Sequence, residues 1–451
     1  MEITELSFLH ISLIILAAII FIVFCWSALT FIVEKEWKAT TRSLIISLLL
    51  PIIILFPVIF ESPISTIIGW CLLLVILLII LILCFPVNFF SGYSDPEPSE
   101  KYDERDIMFS RGELIEGTER FENYYNEKPD VKKWDDLFRS NPGLLSEKAS
   151  YYHPHFFTSA KANFTTVKAL HSLTDGEVSP EKTKYDQKEL VKYLKNWVIH
   201  CGAHSVGVTH LKDYHLYSYG GRMHNYGVNT KNTHKFAIAL TVEMDYDMVG
   251  ASPKGPEVSE SSYQYLKSGI IAVQVASFIR ELGYSARAHI DAHFEVICPL
   301  VARDAGLGEI GRMGLLMTPQ LGSRVRIVVI TTELELPVDN RKPDYSVIEF
   351  CKFCNKCTYN CPVTAIPEND RENINNVLRW KINSEACYTY WTKIGTDCGK
   401  CMMVCPYSHP DYLFHKLMRF FIKRSFVFRR FAIYMDNFFY AKKPKTKDFR
   451  F

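Results

Sequence analysis

The stretch "CKFCNKCTYNCP", residues 351–362, places four cysteines at spacings of three, three and four residues, with a proline directly after the last. A tight turn with thiolates three residues apart can hold three corners of an iron–sulfur cube, and the fourth cysteine then ligates a second cluster. A second run, "CGKCMMVCP" at 398–406, has the form C-x2-C-x3-C-P. The two runs therefore predict a ferredoxin-like module with two [4Fe–4S] clusters.

Crossing the two runs gives two sets of four predicted ligands. The first cluster takes Cys351, Cys354, Cys357 and Cys405. The second cluster takes Cys361, Cys398 and Cys401, and its fourth ligand is expected to be Cys387, which lies in the insertion between the runs. A pair of structural zinc sites and a disulfide framework are the alternatives. Zinc favours two C-x2-C pairs for each site, so the third closely spaced cysteine and the proline favour iron–sulfur clusters.

The first ninety residues contain three apolar stretches, at 7–33, roughly 43–60 and 64–86. Each is long enough for a helix to cross a hydrocarbon core of about 30 Å. Pro51 and Pro57 interrupt the second stretch. Glu2 and Glu5 stand before the first stretch in place of the basic residues of a cleaved signal, so all three are expected to be retained spans.

The loops predict the orientation of these spans. The first loop carries Lys35, Lys38 and Arg42, whereas the N-terminus and the second loop carry no lysine or arginine. The positive-inside rule then puts the N-terminus outside and the first loop in the cytoplasm. The chain is accordingly predicted to be a multi-pass protein of the inner membrane with a cytoplasmic catalytic domain. Its formal net charge of +2 argues against a nucleic-acid partner bound through bulk charge.

Five regions are expected along the chain. A three-helix membrane anchor occupies 1–90, a linker and extension 91–150, an α/β core 151–345, the two-cluster module 346–410, and a basic aromatic tail 411–451. Within the core, apolar periodicity predicts strands over 204–211, 235–244 and 324–334 and a long helix over 263–284 that ends at Gly283.

The tail alternates basic pairs with aromatic residues, as in "RFFIKRSFVFRRF" at 419–431. Two interpretations stay open. The tail suits the interface of an anionic leaflet, or it forms a helix packed over the ferredoxin module with its charges in solvent.

Upstream of the cysteines stands "DAGLGEIGRMGLLMTPQLGSRVRIVVITTELEL", residues 304–336. Joined to a double-cluster module, this segment resembles the cobalamin-dependent reductive dehalogenases, in which a pattern AGLGE-x-GR-x-G-LL-x-TP-x-x-G-x-x-VR leads into the strand before the clusters. The resemblance covers roughly residues 190–410. Epoxyqueuosine reductase is a relative with the same plan.

The resemblance implies a nitroreductase-like α/β (α+β) core that holds base-off cobalamin beside one cluster, with no histidine below the cobalt. The histidine motif D-x-H-x-x-G of other B12 enzymes is not found, and "DAHFEV" at 291–296 is the nearest segment. Cobalt(I), formed with electrons from the proximal cluster, would attack the halogenated substrate or transfer charge to it. The motif residues taken as cofactor-binding are Gly306, Gly308, Gly311, Arg312, Gly314, Thr318 and Pro319.

The resemblance also implies the catalytic residues. A tyrosine at the start of the long helix supplies a proton; an ungapped count gives Tyr265, with Tyr263 as the alternate. The family's arginine falls on Arg326 and would stabilise developing charge. The segment after "LGYSA" departs from the family pattern. Many family members have an asparagine or lysine in this segment, and an ungapped count along the sequence puts Asp291 at that position. A carboxylate beside a leaving halide is unfavourable, so His289 or His293 is the better candidate.

The implied partners are an organohalide, with an aryl halide compatible, and an electron donor. No G-x-G-x-x-G of dinucleotide-binding type is recognised, so ferredoxin or a flavin or NAD(P)H reductase is expected to deliver electrons. Two other functions stay open. One is an epoxyqueuosine-reductase-like enzyme, and the other is a membrane-bound iron–sulfur electron-transfer protein without a substrate.

Overall fold

The computed structural model describes residues 8–60, 62–88 and 96–450, and the chain divides into two compact units. The helices are α1 Phe8–Val33, α2 Trp37–Ile59, α3 Pro63–Cys84, α4 Met108–Gly112, α5 Glu119–Glu127, α6 Pro129–Arg139, α7 Pro154–Leu170, α8 Gln187–His200, α9 Tyr246–Gly250, α10 Gly255–Glu281, α11 Cys298–Asp304, α12 Tyr345–Cys354, α13 Lys356–Asn360, α14 Ser384–Ile394, α15 Lys400–Met403, α16 Leu413–Arg424 and α17 Phe426–Tyr440. The strands are β1 Ser205–His210, β2 Phe236–Glu243, β3 Ala286–His289, β4 Glu309–Ile310, β5 Leu316–Met317, β6 Val325–Thr332, β7 Glu372–Ile374 and β8 Val377–Arg379.

The first unit comprises residues 1–92 and 410–444. Its helices α1, α2 and α3 are each long and apolar enough to cross a membrane. The second predicted span is one continuous helix: α2 begins at Trp37 and includes both Pro51 and Pro57. Ser62 begins α3 because its hydroxyl accepts a hydrogen bond from the Ser65 amide. Glu2 and Glu5 lie outside the described residues.

The basic aromatic tail forms α16 and α17 and packs against the apolar helices of this first unit. The Phe31 ring of α1 contacts Phe414 and Tyr440, with centroids 5.9 and 5.4 Å apart. The Phe426 amide donates to the Val87 carbonyl beyond α3, at 2.9 Å. The predicted tail region, 411–451, is therefore divided between the two units. Residues 411–444 belong with the spans, and residues 445–451 belong to the second unit.

The second unit, residues 93–409 and 445–451, is built on a four-stranded antiparallel sheet in the order β1-β2-β6-β3. Alternate residues of β2 pack into two different hydrophobic cores, one on each face of the sheet. Ile238 and Leu240 face a core shared with α8 and α10, whereas Ala237 and Ala239 face a core shared with α11. The sheet is thus covered on both faces, as expected for an α/β core. The three predicted strands are confirmed within one or two residues at each end.

Helix α10 is the longest element of the second unit. It begins at Gly255, eight residues before the predicted start, because its first turns are polar yet buried and so lack an apolar pattern. It ends before Gly283, whose φ of +87° suits a glycine after a helix. The segment Gly306–Gly311 has a literal G-x-G-x-x-G spacing, but it follows helix α11 and contains strand β4. This order is the reverse of the strand-to-helix order of dinucleotide sites.

Candidate iron–sulfur and catalytic site

One group of thiols is formed by Cys351, Cys357 and Cys405. Cys351 lies in α12 and Cys357 in α13. Burial raises the pKa of the Cys357 thiol to about 12, and Cys351 is the next cause. Burial also raises the pKa of Cys405, with Cys351 and Cys357 as neighbouring thiols that raise it further. Cys354 is the last residue of α12. Its thiol raises the pKa of Arg312, as the thiols of Cys351 and Cys357 do. Cys405 therefore lies close to Cys351 and Cys357, although about fifty residues separate them in the sequence.

The remaining four thiols form a second group. Burial raises the pKa of Cys401, and the neighbouring thiols that raise it further include Cys398, Cys387 and Cys361. Cys387 lies in α14, and its pKa is raised to about 11 by burial first and by Cys361 next. The Cys357 thiol of the first group also raises the pKa of Cys401, so the two groups are neighbours.

The thiols fit iron–sulfur clusters by their chemistry. All eight are free of disulfides. Cys354, Cys361, Cys387 and Cys401 keep part of their surface accessible, although burial is the largest influence on the pKa values of Cys387 and Cys401. The Cys361 thiol raises the pKa of both Cys387 and Cys401, so the thiols of the second group lie close together. Metal binding there would displace the protons that burial retains on sulfur.

The extension before the core supports the helix that carries Cys387. Arg111 of α4 is buried and donates to Glu385 of α14 at 3.0 Å, and its Nε lies 3.4 Å from the Asp135 carboxylate of α6. The rings of Phe109 and Phe138 contact Tyr388 of α14 at 5.1 and 5.0 Å. The sequence assigned no role to this extension, and the structure shows that it fixes α14.

Arg312 of the glycine-rich motif is engaged by the cysteine module. Its guanidinium donates to the Cys351 carbonyl at 3.0 Å and to the Pro367 carbonyl at 2.8 Å, and it lies 4.8 Å from the Trp380 ring centroid. Burial lowers the pKa of Arg312, and the thiols of the first group oppose that shift. Arg312 therefore ties the motif to the loop around the first thiol group.

The other motif residues form tight turns under the same module. Gly308 allows the backbone to approach Met317, because an added Cβ would lie 2.3 Å from the Met317 carbonyl oxygen. The Thr318 hydroxyl donates to the Gly322 carbonyl at 3.0 Å and closes the turn at Pro319. Gly306 and Gly314 have positive φ, and an added Cβ on Gly311 would lie 3.5 Å from the Cys351 sulfur.

Tyr265, Asp291 and Arg326 lie close together beside the second thiol group, and from their surroundings we infer that they line a cleft. Each keeps accessible surface, although burial is the largest single influence on its pKa. That combination is expected of side chains on the wall of an internal cleft. Tyr265 is not at the start of α10 but ten residues beyond Gly255, on the side that packs against β6. Burial raises its pKa to about 12, and the nearby Arg326 opposes the shift.

Arg326 connects this cleft to the second cysteine run. Its guanidinium carbon lies 4.9 Å from the Tyr265 ring centroid. Its Nη2 donates to Asp397 Oδ2 at 2.8 Å, and the Ser261 hydroxyl donates to the same oxygen at 2.5 Å. Asp397 directly precedes Cys398. The cleft and the thiol-bearing loop are therefore joined through two hydrogen bonds.

Glu257, in the first turn of α10, is a second carboxyl group next to this loop. It is fully buried, and an added Cβ on Gly399 would lie 2.6 Å from its Oε1. Burial, and then the Asp397 carboxylate, raise the pKa of Glu257 well above its ordinary value. A protonated Glu257 would leave the Asp397 carboxylate as the negative charge that pairs with Arg326.

Three imidazoles gather at Asp291, on a turn in which Ala292 has a φ of +57°. His171 Nε2 lies 2.8 Å from the Asp291 carbonyl oxygen, and the His293 ring stacks on His224 with centroids 4.3 Å apart. Burial lowers the pKa of His293 to about 4, and Arg287 contributes next. Burial raises the pKa of the Asp291 carboxyl, and Arg222 opposes the rise.

Two predicted catalytic residues lie away from the cleft. His289 is fully buried; its Nε2 lies 2.9 Å from the Thr331 hydroxyl, and its Nδ1 accepts from the Glu295 amide at 3.1 Å. Both ring nitrogens are thus engaged inside the core. The Tyr263 side chain is 51% exposed on α10. Residues that sequence reasoning missed are Ser261, Asp397 and Glu257, and only the position of Asp397 next to Cys398 could have drawn attention to it.

The fold and the thiol groups together define an iron–sulfur protein with an α/β core. A sequence family described as a 4Fe-4S dicluster domain matches residues 350–409. The tetrachloroethene reductive dehalogenase of Desulfitobacterium hafniense is 33% identical over 196 residues, which cover 41% of this chain and 35% of that protein. An epoxyqueuosine reductase of Lactococcus garvieae is 29% identical over 143 residues, which cover 31% of this chain and 38% of that protein.

Solved structures agree with the fold. A reductive dehalogenase whose structure is described as suggesting a mechanism for B12-dependent dehalogenation matches with a TM-score of 0.59 and 26% identity, over 69% of this chain and 46% of that one. The catabolic reductive dehalogenase NpRdhA in complex with 3-bromo-4-hydroxybenzoic acid matches with a TM-score of 0.64 and 23% identity, over 80% of this chain and 49% of that one. The chain is thus a homologue of the reductive dehalogenases, with epoxyqueuosine reductase as a further relative. It spans about a third of the curated dehalogenase's length.

Proposed function

We propose that the protein is a reductive dehalogenase that removes halide from an organohalide with electrons relayed through two [4Fe–4S] clusters. One observation carries the proposal: Arg326 contacts both Tyr265, on the cleft wall, and Asp397, which directly precedes Cys398. A proton donor and a thiol-bearing loop joined in this way suit a reaction that needs both a proton and electrons.

We assign the ligands of the clusters from the two thiol groups. The first cluster is held by Cys351, Cys354, Cys357 and Cys405, and the second by Cys361, Cys387, Cys398 and Cys401. The mutual influence of the thiols within each group supports the assignment. The contact between the groups, through Cys357 and Cys401, supports a short path for electrons.

Cobalamin, bound base-off in the cleft beside the second cluster, would supply a reduced cobalt able to cleave a carbon–halogen bond. The polar wall formed by Tyr265, Arg326 and Asp291 fits a cofactor and a substrate held together in a partly enclosed space. The motif residues Gly306, Gly308, Gly311, Arg312, Gly314, Thr318 and Pro319 remain our proposed cofactor-binding residues. Their close-packed turns adjoin the first thiol group through Gly311 and Arg312.

The chain's own residues handle the proton. Tyr265 is protonated across the physiological range because burial raises its pKa, so its hydroxyl is available as a donor. Arg326 lies over the ring and would stabilise negative charge left on the phenolic oxygen. Asp397 and Ser261 hold the guanidinium in place. Tyr263 and His289 take no part in this assignment, because one is exposed and the other is satisfied inside the core.

Metal and corrin analysis tests the proposal. Protein purified and reconstituted without oxygen should contain about eight irons and about one cobalt per chain. It should also release halide from a panel of halogenated phenols and alkenes when reduced methyl viologen is supplied. Eight irons without any uptake of a B12 derivative would instead identify an electron-transfer protein without a substrate.

A second candidate function is favoured by Asp291, whose carboxyl lies in the same cleft with a raised pKa. A protonated carboxyl facing the cofactor could replace Tyr265 as the proton donor in an epoxyqueuosine-reductase-like reaction on transfer RNA. An assay with epoxyqueuosine-containing transfer RNA distinguishes the two. Conversion to queuosine that depends on Asp291 and survives Tyr265→Phe would favour this candidate.

We further propose that the protein is anchored in the inner membrane with its N-terminus outside and its catalytic unit in the cytoplasm. The basic residues Lys35, Lys38 and Arg42 between α1 and α2 support this orientation. The electron donor is then a cytoplasmic ferredoxin or a flavin or NAD(P)H reductase. Protease treatment of right-side-out and inverted vesicles tests the orientation, since the cysteine module should be cut only in inverted ones.

A further inference from the structure

Helix α16 exposes apolar side chains along one line. Leu413, Leu417 and Phe420 are 69, 38 and 46% exposed, and they recur at intervals of four and three residues. Such spacing puts them on one face of the helix. The opposite side carries His415 and Ile422, which are buried within the membrane unit. The exposed line is therefore not the face by which α16 packs against its neighbours.

Helix α17 repeats the arrangement over a longer distance. Val427, Phe431, Tyr434 and Phe438 follow one another at intervals of four, three and four residues, and all four side chains are exposed. Phe428, one residue from this line, is buried. We call the two lines together the apolar stripes of the tail. An exposed apolar stripe on each of two consecutive helices marks a surface that meets something other than water.

Positive charge accompanies the stripes. Residues 413–440 contain six lysines and arginines and one acidic residue, Asp436. Lys423, Arg424 and Arg430 are exposed. The Arg424 and Arg430 guanidinium groups lie 3.7 and 4.4 Å from the ring centroids of Phe420 and Phe426. Basic groups next to aromatic rings are typical of helices that lie in the interface of an anionic bilayer.

The two helices are fixed to one end of the three apolar helices. Glu34, after α1, is hydrogen-bonded to His415 Nε2 and to the Tyr440 hydroxyl, both at 2.6 Å. Asn88, after α3, accepts from Arg429 at 2.8 Å. The end of α1 and the end of α3 lie on the same side of a three-span bundle. The stripes therefore adjoin one end of three helices that are apolar enough to cross a membrane and that expose apolar side chains along their length.

We infer that α16 and α17 form an interfacial docking surface for anionic phospholipid, with the apolar stripes in the acyl boundary and the basic side chains at the phosphates. Charge complementarity and continuity with the spans select lipid over a protein partner. The surface lies on the side of the bilayer that holds the basic loop between α1 and α2. It would hold the tail against the membrane independently of catalysis.

Site-specific photocrosslinking of the full chain tests the inference. The crosslinking residue p-benzoylphenylalanine is introduced separately at Phe420, Tyr434 and, as a matched control, the buried Phe428. Each protein is placed in nanodiscs of about three parts phosphatidylcholine to one part phosphatidylglycerol, irradiated and analysed by mass spectrometry. Positions 420 and 434 should give lipid adducts, and the ratio of phosphatidylglycerol adducts to phosphatidylcholine adducts should exceed the supplied ratio of one to three on the order of fivefold. Position 428 should give adducts within the protein.

Neutralising the charges supplies the second arm. Arg424→Gln with Arg430→Gln should keep the lipid adducts at position 434 but reduce the phosphatidylglycerol share to its mole fraction. Adducts at 420 and 434 with another copy of the chain, or with no lipid, would overturn the inference. Lipid adducts without phosphatidylglycerol enrichment in the unsubstituted tail would overturn its anionic part. None of these outcomes depends on dehalogenase activity, so the proposed function is tested separately.

Discussion

Arg326 Nη2 lies 2.8 Å from Asp397 Oδ2, and this ion pair joins the first residues of strand β6 to the loop that carries Cys398. Both side chains are largely buried. A buried ion pair of this kind fixes geometry more than it adds stability. Here it fixes a cation over the Tyr265 ring, so the position of the proton donor depends on a residue beside the second cluster.

The first prediction concerns this ion pair. Asp397→Asn should lower kcat on the order of 10²-fold and leave KM nearly unchanged, because Arg326 loses the partner that orients it while substrate contacts remain. Steady-state kinetics with reduced methyl viologen measures the split. Glu243→Gln is the matched control: it removes the 2.8 Å ion pair to the neighbouring Arg324 and should leave kcat unchanged. A rise in KM alone would argue against a positioning role.

The second prediction identifies the proton donor. Tyr265→Phe should reduce turnover by roughly 10²- to 10⁴-fold, the usual contribution of a general acid, with iron and cobalt contents unchanged. Tyr263→Phe alters an exposed side chain two residues away on the same helix and should retain full turnover. If the two variants behave alike, the donor is neither of them, and Asp291 becomes the next candidate.

The third prediction follows from the pKa of Tyr265, which is about 12 in the folded protein against an ordinary value of about 10. The folded state retains the proton more tightly, so this contribution to stability is fully present below about pH 10 and is lost as the pH rises towards 12. Thermal unfolding of the wild type and Tyr265→Phe should therefore differ in alkaline pH dependence. Only the wild type should lose this contribution above pH 10. Identical alkaline profiles would contradict the raised pKa.

The fourth prediction concerns the fourth ligand of the second cluster. Cys387→Ser should leave about half of the iron of the wild type, because the first thiol group is complete without it. Electron paramagnetic resonance of the reduced protein should then show one cluster without its coupled neighbour. Cys201→Ser, at the C-terminal end of α8 and outside both thiol groups, is the control and should keep all the iron. Full iron content in the Cys387 variant would require another ligand.

The fifth prediction tests the joint between the core and the cysteine module. Gly322→Ala should destabilise the protein by about 2–4 kcal/mol, because φ is +56° and the new Cβ would lie 2.7 Å from the Tyr407 carbonyl carbon. Gly117→Ala shares the positive φ but has open space around its Cβ, so it should cost only about 1–2 kcal/mol. Chemical unfolding of both variants measures the difference. Equal losses would mean that the close contact with Tyr407 is relieved by a small shift.

By itself the sequence determined the features that depend on spacing and on continuous runs. Thiols three residues apart indicated clusters, apolar runs indicated three spans, and the apolar strands of the core were located within a residue or two, because each of these is a local pattern. The tertiary structure alone decided which tyrosine faces the cleft, since Tyr263 and Tyr265 share a helix and differ only in which side of it they occupy. It likewise brought Asp397 to Arg326, seventy-one residues apart, and the tail helices to α1 and α3. Those contacts rest on packing between distant segments, which no local pattern records.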